Sequence, residues 1–197
     1  DLMVVESSVK ALAEAGCDTV WLGAESGSQK ILDAMEKGIT LKQIHDSRQL
    51  LKQYGIKTAF FLQFGYPGEN MEDIQSTIQM VLETMPDEIG ISVTYPLPGT
   101  KLYENVKSQL GEKSNWKDSD ELAMMFQNTF PQGFYKELQR YMHTVYRRKK
   151  GIQSAMSLFT DPWKIRLSTL RSALTSLYHT PVAFLRKRKL NMYKPIS

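Results

Sequence analysis

Apolar positions recur along the first 110 residues in two alternating rhythms. Over Glu6–Ala15, Val9, Leu12 and Ala13 share one helical face, and Gly16 closes the segment. Thr19–Gly23 is a short apolar run that predicts a strand. Ser28–Glu36 carries Ile31, Leu32 and Met35 at helical spacing. Thr40, followed by Gln43, has the form of a capping box. It opens a helix that turns Leu41, Ile44, Leu51 and Tyr54 inward, and Gly55 ends it. Ile56–Phe64 is a continuous apolar run of the kind found in strands buried on both faces. "YPGE" (Tyr66–Glu69) sets Pro67 and Gly68 at the centre of a type II turn. Met71–Met85 is a helix with Ile74, Ile78, Val81, Leu82 and Met85 on its face, and Glu88–Tyr95 is a third strand. "PLPGT" (Pro96–Thr100) is a turn whose Thr100 caps a helix over Lys101–Leu110.

One helix followed by three strand–helix units predicts an α/β fold with parallel strands and right-handed crossovers. Three units are too few to close an eight-stranded barrel. They fit an open sheet or a partial (β/α) barrel half. After a polar linker over 111–133 comes a basic α-helical C-terminal extension over 134–197. Phe134–Lys150 is helical and ends in "RRKK". Asp161-Pro162 starts a second helix, which runs through Tyr178 with Ile165, Leu167, Leu170, Leu174 and Leu177 on its stripe. "RKRK" (Arg186–Lys189) follows.

Charge divides the chain in the same place. Residues 1–133 hold 11 Lys and Arg against 19 Asp and Glu, whereas residues 134–197 hold 14 against 2. An acidic body thus carries a basic tail. No run reaches the roughly 18–20 apolar residues of a membrane span. The start has neither a secretory pattern nor an initiator Met, and reads as a cut through a longer chain. Cys17 is the one cysteine. It reads as a small buried hydrophobe before a strand, and a lone thiol fits a reducing cytoplasmic setting. It also excludes a self-contained iron–sulfur site, which needs about three or four thiolates.

The candidate chemistry lies where strands end. "GAESGS", "GYPGE" and "YPLPGT" each follow a strand's C-terminal end, the edge at which parallel α/β folds bind ligands. Each motif alone also reads as plain turn chemistry. Glu25, at the exit of an apolar strand, needs exposure or bonding. It has the acceptors for the two hydroxyls of a ribose diol. Ser26 and Ser28 suit caps of the next helix, whose N-terminus favours anions. Lys37, just beyond that helix, is placed to return to the rim and meet a carboxylate. It also reads as a solvated helix-end cation.

In this order and spacing, "GAESGSQKILDAMEKGIT", "FLQFGYPGE" and "YPLPGTKLY" resemble the C-terminal half of a radical S-adenosylmethionine enzyme barrel. The likeness covers about residues 5–106 and is strongest to the cobalamin-binding branch. It implies that Glu25, with Ser26 beside it, contacts the ribose of S-adenosylmethionine and that Lys37 pairs with its carboxylate. It also implies that Gly65, Tyr66, Pro67, Gly68 and Glu69 line the adenosyl pocket, and that the turn of Pro96, Pro98 and Gly99 lies near the adenine. Two features depart from the family. Phe61 stands where some relatives place an Asp as a second ribose ligand. The family's C-x3-C-x2-C cluster motif and second-strand Gly-Gly-Glu motif are absent from this sequence. The 4Fe–4S ligands, and any cobalamin domain, are therefore expected outside this chain, in a missing N-terminal half. The intact protein is expected to cleave S-adenosylmethionine reductively, and the resulting 5′-deoxyadenosyl radical to act on a small-molecule or lipid-like substrate. This chain alone is expected to be inactive, and none of its residues is assigned a bond-breaking role.

Two other readings remain open. One is a tRNA methylthiotransferase-like radical protein, with RNA on the basic tail. The other is a non-catalytic α/β binding module. The tail itself suits an anionic membrane surface, RNA or an acidic face of the missing half, and reads equally as a solvated extension. His45 is expected to be solvated. His143 and His179 lack metal-ligand spacing, and Met124-Met125 reads as local packing.

Overall fold

A computed structural model describes residues 4–110, 125–160 and 167–196. Residues 111–124 of the linker, Met124 among them, the Asp161-Pro162 start and Ile165 lie outside the described residues. Helix α1 (Glu6–Glu14) leads to strand β1 (Thr19–Glu25), then to α2 (Gln29–Ala34) and α3 (Leu41–Gln53). Next come β2 (Lys57–Phe64), α4 (Met71–Thr84), β3 (Glu88–Val93) and α5 (Lys101–Val106). Two long helices, α6 (Gln132–Thr160) and α7 (Leu167–Leu190), complete the order. The strands form one parallel sheet in the order β1-β2-β3. The expected α/β architecture with a helical C-terminal region is therefore present.

Local chemistry explains the boundaries. The Thr40 hydroxyl accepts the Gln43 N–H, and the Gln43 side chain accepts the Thr40 N–H, a complete capping box at the head of α3. Asn70 and Asp73 form a second box at the head of α4. The turn at Tyr66–Glu69 has the bond and backbone of type II: Glu69 N–H donates to the Tyr66 carbonyl at 2.9 Å, and Gly68 has φ +83°. The third rim turn repeats it, with Thr100 N–H donating to Leu97 and Gly99 at φ +85°.

The helices cover one sheet face. Leu22, Ala24, Phe60, Leu62, Phe64, Ile89 and Val93 are buried there with Ile44, Leu51, Ile74 and Val81. The other face is largely open, which corrects the expectation that the Ile56–Phe64 run is buried on both sides. Phe61 is 52% exposed, and its ring centroid lies 4.4 Å from that of exposed Trp21. Both rings sit over Gly90, where a Cβ would meet each at about 3.2 Å. Alternation of side chains along a strand puts Gly23 and Gln63 on this same face.

Helix α6 runs past the expected Phe134–Lys150 at both ends, and α7 runs past the expected end at Tyr178 to Leu190. Phe134, Tyr135, Leu138, Met142 and Tyr146 of α6, and Leu190 of α7, join the core that the sheet builds. The Tyr146 hydroxyl, at 2.7 and 2.6 Å from the Pro86 and Asp87 carbonyls, ties α6 to the entrance of β3. Cys17 is half-buried rather than buried, with its Sγ 3.7 Å from the Thr19 carbonyl.

Candidate functional site at the strand ends

Strand β1 breaks its register against β2 between Gly23 and Glu25. Glu25 there adopts φ +55°, and the Ser26 N–H donates back to the Ala24 carbonyl at 2.6 Å. A left-handed backbone costs a residue with a Cβ about 1–2 kcal/mol. The result aims the Glu25 carboxylate over the open face. Its Oε1 lies 2.8 Å from Lys37 Nζ. Lys37 reaches it because Glu36 (φ +54°) and Gly38 (φ +64°) turn the chain back after α2. Gly23 makes room for this pair: a Cβ at that position would stand 2.9 Å from Glu25 Oε1 and 3.8 Å from Lys37 Nζ.

Ser26 and Ser28 do something else. Ser26 is fully buried, its Oγ 3.2 Å from Thr77 Oγ1. The Gly27 N–H donates to the same Thr77 hydroxyl at 2.9 Å. Ser28 donates to Asp73 Oδ1 at 2.7 Å, and its side chain makes no capping bond to α2. Burial alone would raise the Asp73 pKa, but the bonds from Lys30, Ser28 and Asn70 outweigh it and hold the carboxyl below its usual range. The expected anion-binding cap is thus corrected to a clamp between the β1 exit and α4. In "ESGS", the Glu faces the rim, and Ser-Gly-Ser docks the helix behind it.

Glu69 is a second correction. Expected on the pocket wall, it is 1% exposed and lies under α6. Its Oε2 accepts the Gly65 N–H at 2.6 Å, and Oε1 has no partner. Burial pushes its pKa up to about 8; Asp73 adds to the shift, while the Gly65 bond and Lys30 oppose it. The Thr129 hydroxyl donates to the Glu69 carbonyl at 2.7 Å. Glu69 therefore shapes the 65–69 loop from inside.

In front of that loop, a cleft of about 540 Å³ opens between the ends of α2, β2 and β3. Lys37, Gln63, Tyr66, Tyr95, Leu97 and Lys101 line it, and the Tyr66 hydroxyl donates to the Ala34 carbonyl at 2.7 Å. Of the sequence candidates, Lys37 and Tyr66 meet in the cleft, with Glu25 bonded to Lys37. Gly65 and Pro96 are buried supports, while Pro67, Gly68, Pro98 and Gly99 lie exposed on the two turns. Gly23, Gln63, Tyr95 and Leu97 were not singled out as site residues. The alternation of β2 marks Gln63, and the sole signal for Gly23 was its place two residues before Glu25.

Among the described residues, no group of three or more His, Cys, Asp or Glu is placed to hold a metal. Cys17 lies before the N-terminal end of β1, whereas Glu25 ends the strand. His179 is buried and His143 half-buried; burial, then Arg147, lowers the pKa of each. His45 is half-buried rather than solvated.

Residues 1–81 match the Radical SAM superfamily. An uncharacterized methyltransferase of Pyrococcus horikoshii is 34% identical over 113 residues, 57% of this chain and 25% of the relative. A tRNA-2-methylthio-N(6)-dimethylallyladenosine synthase of Sulfurihydrogenibium is 28% identical over 129 residues, 64% of this chain and 30% of the relative. The fold is shared with Elp3 of the archaeon Methanocaldococcus infernus, at 24% identity and a TM-score of 0.51 over 76% of this chain and 30% of that one. The chain spans about a quarter to a third of the length of these relatives. The family match runs through β1, α2, α3, β2 and much of α4, so this part of the chain is similar to the Radical SAM superfamily.

Proposed function

We propose that the open rim is one half of the S-adenosylmethionine site of a radical enzyme. The observation that carries this reading is the Glu25–Lys37 pair, held over the uncovered sheet face by a left-handed backbone at Glu25. Strain of this kind collects at functional sites. Glu25 offers acceptors to a ribose diol, and Lys37 offers a cation to the methionyl carboxylate. Tyr66 and Leu97 give the cleft apolar surface for the adenosyl group, on loops shaped by Glu69 and Pro96. When bound and reduced, the cofactor supplies the radical chemistry; these residues bind and orient it. A 4Fe–4S cluster does not fit the described residues, given one half-buried thiol at the far end of β1. Its ligands belong to residues outside this chain, as would any cobalamin domain of the branch the rim motifs resemble.

A methylthiotransferase-like reading has the likeness to the Sulfurihydrogenibium synthase in its favour. Phe61 on the open face, where the pattern of that type has Asp, counts against it.

The test is S-adenosylmethionine binding to the full-length protein carrying Glu25→Ala or Lys37→Ala. The Glu25 side chain is 17% exposed and that of Lys37 38%. Loss of a hydrogen bond to the more enclosed charge costs about 1.5–3 kcal/mol, roughly tenfold or more in Kd. Glu25→Ala is expected to weaken binding more than Lys37→Ala. Wild-type dissociation constants for both variants would refute the assignment.

A further inference from the structure

Helix α7 is amphipathic in the inverted sense. The side it turns to α6 is built from small and polar residues: Ser176, His179 and Ala183 are buried there. Contact is close, since a Cβ on Gly151 of α6 would stand 2.6 Å from the Ser172 carbonyl oxygen and 2.8 Å from Ser176 Cβ. Ser154 and Ser172 exchange a hydroxyl bond at 2.9 Å across the same seam. The large apolar side chains point the other way. Leu167, Leu170, Leu174, Leu177 and Phe184 recur at helical spacing and are 65%, 40%, 67%, 72% and 69% exposed. Small residues between helices with leucines outside is the pattern of helices packed in an apolar medium. A contiguous stripe of this size on a water-facing surface marks an interaction site.

The charge around the stripe identifies the medium. Arg171, four residues after Leu167, and Arg188, four after Phe184, continue the same face. Arg147, Arg148, Lys187 and Lys189 are exposed on the two helices, and Lys150 turns to the Asp87 carbonyl at 3.2 Å. Within 134–197, Glu137 is the one acidic residue among those described. It is 2% exposed, with Arg186 at 2.9 Å and Lys189 at 3.1 Å. The α6–α7 surface thus presents leucines and cations and no exposed carboxylate among the described residues. No helix among them is long and apolar enough to cross a membrane.

We propose that α7 lies in the headgroup boundary of an anionic bilayer, leucine face down, and holds the domain at a lipid surface. Apolar burial supplies the contact area, and the arginines and lysines supply the preference for negative headgroups. A lipid surface meets both requirements at once, whereas nucleic acid offers no counterpart to the leucine stripe.

The test is co-sedimentation of the full chain with vesicles of phosphatidylcholine alone and of phosphatidylcholine mixed with phosphatidylglycerol. Anionic vesicles should bind at least about tenfold more strongly than neutral ones, and salt should weaken that binding. Leu174→Asp/Leu177→Asp should reduce anionic binding by about tenfold or more. The milder Leu174→Ser/Leu177→Ser should reduce it in the same direction, while Gln153→Ser, in the cleft that Asp87 also lines, should leave it unchanged. Circular dichroism and sedimentation velocity establish that each variant keeps its fold. Three results would overturn the proposal: vesicle binding indifferent to the leucine variants; no vesicle binding together with a dimer that those variants dissolve; or binding to tRNA with a steep salt slope and none to vesicles.

Discussion

Glu69→Gln isolates the effect of one buried acid on stability. In the folded protein the Glu69 carboxyl holds its proton up to about pH 8, whereas an ordinary glutamate loses it near pH 4.5. Between these values the folded state binds a proton that the unfolded chain has released. Stability contributed by this group is therefore full below about pH 4.5, falls as pH rises, and levels off above about pH 8. The slope reaches at most about 1.4 kcal/mol per pH unit, and the whole window spans up to about 5 kcal/mol. The glutamine amide would keep an oxygen for the Gly65 N–H, now bonded at 2.6 Å, and would have nothing to titrate. Urea denaturation of wild type and variant, compared at the lower edge of this window and near its upper edge, reads the difference directly, because the other titrating groups cancel. The variant should gain on the wild type as pH rises, by about 2–4 kcal/mol. Parallel stability–pH profiles would show that Glu69 ionises normally and would refute the buried, protonated acid.

Two glycines supply contrasting tests. At Gly27 a Cβ would stand 2.4 Å from the Ser76 carbonyl and 2.6 Å from Thr77 Cα, backbone atoms that move only with α4. Gly27→Ala should therefore destabilise the protein by about 3 kcal/mol in thermal or urea unfolding, and an unchanged midpoint would contradict the clamp. At Gly23 the atom in the way is Glu25 Oε1, the free end of a side chain. Gly23→Ala should leave stability within about 1 kcal/mol and weaken S-adenosylmethionine binding by about tenfold, read by calorimetric titration. Lost stability with unchanged binding would separate Gly23 from the site.

The sequence declared its local devices and hid its long-range ones. Thr40 and Gln43 announce the start of α3, and Pro67-Gly68 announces a type II turn, because both act within four residues. Glu25 stood out as a carboxylate ending an apolar strand, and Lys37 as a cation beyond the next helix. That their charges meet at 2.8 Å depended on left-handed backbone at Glu25 and Glu36, which those residue types do not advertise. Glu69 looked like a rim acid because the cover over it, α6 with Tyr135, begins more than sixty residues later. Phe61 looked like core because an apolar run does not reveal whether a second layer covers the sheet. The leucine stripe of α7 was legible as a pattern. Its outward aim was not, since it depends on Gly151 of another helix admitting the serine side of α7.

Glu25 and Lys37 are proposed to grip the two polar ends of a nucleoside cofactor. A crystal structure of the full-length protein with S-adenosylmethionine bound tests it most directly. The expected result is a Glu25 carboxylate accepting the ribose hydroxyls within hydrogen-bonding distance, about 2.5–3.0 Å, with Lys37 turned toward the methionyl carboxylate. A cofactor seated elsewhere, with the Glu25–Lys37 pair still closed upon itself and water over the open face, would contradict it.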